Sequence, residues 1–279
     1  TTPYFSSGET TLNGIKIVTS SLSDTNETYF FGISDSTTPL VQEFNITYGN
    51  INGHGALVEA NTKSETAAIY GQYANLLLAP TEVTGGFFIS SPAASSAVSS
   101  GKDQEIYVLS ARRSNMKDRL NKGTWQIDLT GAETSNLAAA ITQSSVLHLK
   151  DDSVNDSPVA TPVGDRYNIV SCSSGVIAAE ATTRNFGFFY PDMGIMVFSG
   201  AELSASLPGP ERGRNLVTVF HSGSQNGFGT TTNTDANYKN PLRFVNCLSG
   251  SNANLKFRDE EDKVSAQYFC RVRSGQMNF

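Results

Sequence analysis

The sequence predicts a mainly β fold with a few short helices (α+β), arranged as antiparallel β-sandwich-like lobes with one longer helix near 63–79. Three observations lead there. Short runs rich in β-branched and aromatic residues are separated by Ser, Asp, Thr, Asn and Pro, the punctuation of strands and turns. A segment opened by Thr62-Lys63-Ser64-Glu65, which has the capping-box form, and stopped by Pro80 carries a sustained helical apolar period. The third is a hairpin signal, Pro191-Asp192-Met193-Gly194 between two apolar arms.

Taken in order, strands are expected over 15–18, 28–33 and 41–48. In the helix over 63–79, Ile69, Tyr73, Leu76 and Leu77 form an apolar stripe that should lie against the sheet or a neighbouring subunit. Residues 81–100 are rich in Gly, Ser and Ala and make a low-complexity loop. The organising unit is 104–129, QEIYVLSARRSNMKDRLNKGTWQIDL, expected as strand, short helix, strand. Ile106 and Val108 alternate with Tyr107 and Leu109, and Trp125, Ile127 and Leu129 share a face opposite Thr124, Gln126 and Asp128. Between them Ser114 is the expected N-cap, 116–122 the helix and Gly123 its left-handed terminal residue. Residues 130–140 are polar and small, with helical tendency around 136–141.

A second polar loop, 151–162, sets the expected boundary between an N-terminal lobe, 1–150, and a C-terminal lobe, 151–279. Beyond it come a strand over 166–172 and the hairpin arms 186–190 and 195–198, apolar enough to be buried on both faces. A helical turn over 201–206 and a long polar loop over 222–240 follow, then two strands over 254–258 and 263–273. In the last strand Val264, Ala266, Tyr268, Cys270 and Val272 make one face, and Gln267, Arg271 and Arg273 mark the wetter one.

Only 16% of the 279 residues are charged, against roughly 25% in an average soluble protein, so the surface is solvated by hydroxyls and amides. A net charge of −6 argues against a nucleic-acid groove, which needs concentrated Lys and Arg. The longest basic cluster, Arg112, Arg113, Lys117, Arg119 and Lys122, is partly offset by Asp118 and Asp128. No run of about 18 apolar residues is present, so no membrane insertion is expected, and the N-terminus has no signal-peptide pattern. The chain begins at Thr1 without an initiator Met and stops at Phe279 just after a strand pattern, as a processed chain or one lacking tails would. Cys172, Cys247 and Cys270, far apart and odd in number, are expected as free, mostly buried thiols.

The residues that carry chemistry do not converge. His54, His148 and His221 lack zinc spacing, and His148 has the context of a satisfied sheet residue. Asp151, Ser153 and Asn155 alternate as calcium ligands would, but the sixth and twelfth loop positions hold Asp156 and Pro162 instead of Gly and Glu. His221-Ser222-Gly223-Ser224 lacks the Gly-x-Ser-x-Gly elbow, and no Gly-rich tract has a phosphate-cradling form. The acid pairs Asp151/Asp152 and Glu260/Glu261 sit in loops, where solvated pairs belong. No catalytic residue, cofactor or metal is therefore assigned.

Several stretches resemble a family of virion structural proteins from contractile-tailed bacteriophages of marine bacteria, especially cyanophages. They are Tyr29-Phe30-Phe31-Gly32-Ile33, Ala68-Ile69-Tyr70-Gly71-Gln72-Tyr73-Ala74-Asn75-Leu76-Leu77-Leu78, the organising unit from Gln104 to its Gly123-Thr124-Trp125-Gln126, the hairpin Tyr190-Pro191-Asp192-Met193-Gly194-Ile195 and Tyr268-Phe269-Cys270-Arg271-Val272-Arg273. They follow one another along nearly the whole chain. The resemblance implies a structural component, in the tail baseplate (wedge), made in the host cytoplasm and assembled with other tail subunits in several copies per particle. It also implies a further β-rich tail after the last strand, and it brings no catalytic residue. Candidate subunit contacts are Arg112, Arg113 and Arg119 on the basic rim, the aromatics Phe87, Phe88 and Phe228, and the loops 90–102 and 222–240. Two rival readings are a carbohydrate-binding tail-fibre adhesin, with Tyr4, Phe87, Phe88 and Phe228 as its platform, and a cell-wall hydrolase using loop carboxylates.

Overall fold

The computed structural model describes residues 10–12, 16–19, 30–34, 42–53, 65–82, 86–89, 102–130, 146–177, 184–203, 241, 244, 248, 254–271 and 275. In chain order the elements are β1 (Thr10–Leu12), β2 (Lys16–Thr19), β3 (Phe30–Ser34), β4 (Gln42–Asn50), α1 (Glu65–Leu77), β5 (Glu105–Ala111), β6 (Arg119–Leu120), β7 (Gln126–Thr130) and β8 (Val146–Asp151). Then come β9 (Val159–Thr161), β10 (Gly164–Ser173), β11 (Val176–Ile177), β12 (Gly187–Tyr190), β13 (Ile195–Ser199), β14 (Asn254–Phe257) and β15 (Asp259–Glu260). The expected mainly β class is the one the chain adopts.

One antiparallel sheet runs β1-β14-β7-β8-β10-β12-β13-β5-β4-β3-β2, with β9 and β11 also paired to β10, while β6 and β15 form a separate small sheet. This path curls back on itself. Six strands stand between β14 and β4, so a flat sheet would hold them roughly 34 Å apart at about 4.8 Å per strand. Yet Phe44 of β4 and Phe257 of β14 meet edge to face with ring centroids 4.9 Å apart. The two ends of the path are also joined through the chain: Leu12 and Lys16 are four residues apart, which limits their separation to about 15 Å.

The curl encloses the main core. Trp125, wholly buried, stacks on Phe189 at 5.8 Å and lies 6.2 Å from Phe198, joining β7 to the β12–β13 hairpin. Phe244 fills the space beside Tyr107 and Phe198. A second core lies on the outer face, where Ile106 and Val108 of β5, Phe188 and Tyr190 of β12, and Ile195 and Val197 of β13 meet α1 and Phe87. The alternation in β5 therefore separates two buried environments rather than core from water: Tyr107 and Leu109 point into the curl, Ile106 and Val108 toward the helix. As expected, β12 and β13 are buried at every position, and Gly194 closes their turn at φ 65 with its N–H donating to Pro191 O at 3.1 Å.

Tyr70 fixes the helix to the sheet. Its hydroxyl donates to Asp103 O at 2.6 Å and accepts from Phe87 N at 2.9 Å, and its ring meets Phe87 edge to face at 5.7 Å. Burial pushes this phenol well above its ordinary range. Two glycines make room: a Cβ on Gly49 would lie 2.9 Å from Tyr70 N, and one on Gly86, itself at φ +84, would overlap the Tyr70 hydroxyl.

Several expectations are corrected. The strands do not part at 150/151. That boundary cuts β8, and β10, β12 and β13 lie between β8 and β5, so both halves of the chain build one sheet. The segment 116–122 is not helical; a 3-10 turn at Arg113–Asn115, preceded by Arg112 rather than capped by Ser114, leads into β6. Gly123 does take the expected left-handed conformation, φ 78. In α1 the buried face is Thr66, Tyr70, Ala74 and Leu77, leaving Leu76 exposed and Ile69 and Tyr73 half-buried. The small side chain of Ala74 and the Gly49 contact allow the closer approach on that face. Residues 263–271 form no strand and are exposed throughout, and Cys270 is an exposed thiol, whereas Cys172 is buried.

The acids expected to be solvated at 151–152 are buried as well. Asp151 accepts from Gly123 N at 2.7 Å and from Ser153 Oγ, and Asp152 accepts from Asn168 N at 2.9 Å and Asn168 Nδ2 at 2.8 Å. They brace the loop after β8, and desolvation raises both carboxyls above their ordinary range. His148 is held by Asp128 at 2.6 Å, as its strand context suggested.

Candidate functional site

The basic stretch of the organising unit is taken up by the chain's own acids. β6 pairs antiparallel with β15, setting Arg119 opposite Glu260 and Leu120 opposite Asp259. Backbone bonds extend the pairing, from Asp118 N to Glu260 O at 3.1 Å and from Asn121 N to Arg258 O at 2.7 Å. The Arg119 guanidinium donates through Nε to Glu260 at 3.1 Å and through Nη2 to Asp262 at 2.6 Å, with Asp192 3.9 Å from Nη1. Asn121 donates to the second Glu260 oxygen at 2.9 Å, and Lys117 pairs with Glu261 at 3.3 Å. The Asp262 N–H donates to the Asp118 carboxylate at 2.8 Å. The bond to Glu260 is the main cause that raises the Arg119 guanidinium above its ordinary range.

This clasp has a buried base. Leu120 is fully buried and its N–H donates to Pro191 O at 3.1 Å, so the β12–β13 turn supports it from below. Beside it, Arg119, Lys122, Asp165, Tyr167, Asp192 and Glu260 border an open polar recess of about 270 Å³. Lys122 donates to the Tyr167 hydroxyl at 3.0 Å, which is the first cause of its raised pKa. The recess is therefore crossed by contacts within the chain.

Beyond the clasp the chain leaves the body. Residues 261–271 carry no helix or strand and are exposed, and their large apolar side chains bury almost nothing: Val264 is 93% exposed, Tyr268 89% and Phe269 91%. A monomer gains nothing from presenting such residues on an arm, since each would stabilise the fold by about 1.5–3 kcal/mol if buried. The root of the arm is nevertheless ordered, because Arg119 and Asp118 hold Asp262 in place.

The candidate contact residues fall into three groups. Arg112 and Arg113 are exposed, Arg113 donating to Asp118 O at 2.9 Å, whereas Arg119 is committed to the clasp. Phe87 is fully buried beside Tyr70, and its neighbour Phe88 faces solvent at 41% exposure with Lys102 Nζ 5.9 Å from the ring centroid. Phe228, Tyr4, His54, His221, Cys247 and the loops 90–101 and 222–240 lie outside the described residues. The strand expected over 263–273 is not formed at 263–271, where every residue is exposed.

Among the described residues no three His, Cys, Asp or Glu side chains are placed to hold a metal, and no described helix is long and apolar enough to cross a membrane. Comparison with protein-family models, with curated proteins and with solved structures finds no match to this chain.

Proposed function

We propose that this chain is a structural component of a tailed-bacteriophage virion, a baseplate (wedge) subunit that works through contacts with other tail subunits. The observation that carries the reading is the arm 261–271, anchored at its root and with apolar side chains left to be covered by something else. Permanent assemblies bury large apolar interfaces, and an extended segment completed by a neighbour's sheet is a recurring way to build them. The exposed pair Arg112 and Arg113, on the same basic stretch as the clasp, supplies a polar rim for such a contact. The resemblance of successive stretches of the chain to marine-phage virion proteins supports reading that contact as one made in a tail.

The test is peptide mass spectrometry on purified particles, followed by limited proteolysis of particles and of the isolated chain in parallel. The chain should be present in particles, with the arm cut rapidly in the isolated chain at high dilution and resistant after assembly. Absence from particles, or equal cutting in the two states, would overturn the proposal.

A further inference from the structure

Resting on the assembly reading, we infer that the arm's partner is the same arm of a second copy of this chain, the two joined as an antiparallel pair centred on Ala266. The inference starts from charge. The segment is acidic at its root, with Glu260, Glu261 and Asp262, and basic toward its end, with Arg271 and Arg273. An antiparallel pair therefore brings each root to the other's end, whereas a parallel in-register pair would set Glu261 on Glu261 and Arg271 on Arg271.

Register follows from the side chains. With Ala266 opposite Ala266, Val264 faces Tyr268, Ser265 faces Gln267, Lys263 faces Phe269 and Glu261 faces Arg271. Val264, Ala266 and Tyr268 of both strands then share one face, and aromatic–β-branched neighbours are among the favoured cross-strand pairs. Centring on Gln267 instead would oppose Lys263 to Arg271, and a shift of one residue on one strand would mix the two faces. The pairing is isologous, so it closes as a dimer.

A free two-stranded ribbon is marginal in water. Here the clasp of β6, β15 and Arg119 already fixes both roots, which confines the ordering to nine residues beyond Asp262, about 30 Å of extended chain. Glu261 is available for the pairing, since it is half exposed and touches Lys117 through a single oxygen. Cys270 is exposed and faces the partner's Asp262 in this register, so it does not link the copies itself.

The experiment is sedimentation velocity on the full chain, with a cysteine crosslink as the register test. In a Cys270→Ser background, Ala266→Cys should give a covalent dimer under mild oxidation, while Ser265→Cys, which faces Gln267, should give far less. Glu261→Arg or Arg271→Glu alone should weaken the dimer by about tenfold, and the two together in one chain should restore it. A variant ending at Asp262 should be folded by circular dichroism and monomeric. A full chain that stays monomeric at its highest soluble concentration, or that crosslinks equally at 265 and 266, would overturn self-pairing. If the arm were still protected in particles, the assembly reading would stand with a different subunit as partner.

Discussion

Replacing Tyr70 by Phe deletes one oxygen and keeps the ring that packs against Phe87. That oxygen serves two buried backbone groups on different segments, accepting from Phe87 N and donating to Asp103 O. Its loss leaves a donor and an acceptor unpaired at a residue only 2% exposed. Each such group costs about 1–3 kcal/mol, so the substitution should destabilise the chain by about 2–6 kcal/mol, a large share of a typical 5–15 kcal/mol. Urea unfolding followed by circular dichroism would read this as a lower midpoint with unchanged slope. Hydrogen exchange should show the Phe87 amide losing protection, with Phe88 loosened beside it. Tyr268→Phe, on the arm, should have no effect on the midpoint. A Tyr70→Phe change below about 0.5 kcal/mol would refute the reasoning, because it would mean that neither backbone group depends on the hydroxyl.

Further consequences concern charge, packing and the clasp. Burial raises the carboxyls of Asp103, Asp151, Asp152 and Asp259, so the folded chain binds protons that the unfolded chain, titrating near 4, has released. Stability should therefore fall as pH rises from about 4 toward the raised folded values, and Asp103→Asn should flatten that slope; a thermal midpoint that climbs over this range would contradict the assignment. Gly71→Ala, with open space around its Cβ in α1, should stabilise by about 0.5–1 kcal/mol. Gly187→Ala, whose Cβ would lie 2.3 Å from Val197 O across the β12–β13 pair, should cost about 3 kcal/mol or prevent folding. Arg119→Ala should cost only about 1 kcal/mol while speeding exchange at 258–262, and reversing the exposed Arg112 and Arg113 should leave the unfolding midpoint within about 0.5 kcal/mol and reduce incorporation into particles.

The strands were legible where neighbours in sequence are also neighbours in space. The β12–β13 hairpin, the alternation of β5 and the left-handed Gly123 all follow from local chemistry. Pairing over long sequence separations was not legible. Residues 116–122 contain good helix formers, but the N–H groups of Asp118, Leu120 and Asn121 are satisfied by Glu260, Pro191 and Arg258, all distant in sequence. The shared sheet was not legible for the same reason, since β10, β12 and β13 insert between strands of the first half. In α1 both possible stripes carry apolar residues, and contacts distant in sequence, from Tyr70 to Gly49, Phe87 and Asp103, go with the face that is buried. Alternation over 263–273 predicted a strand that 263–271 do not form, because a pattern of side chains does not supply the neighbouring strand that pairing needs.

The contact that would complete that strand is the centre of the functional reading. Hydrogen exchange of residues 263–271, compared between the isolated chain in dilute solution and the chain in purified particles, measures it directly. Rapid exchange in isolation and strong protection in the particle is the expected result. Amides that exchange as fast in the particle as in the free chain would contradict it.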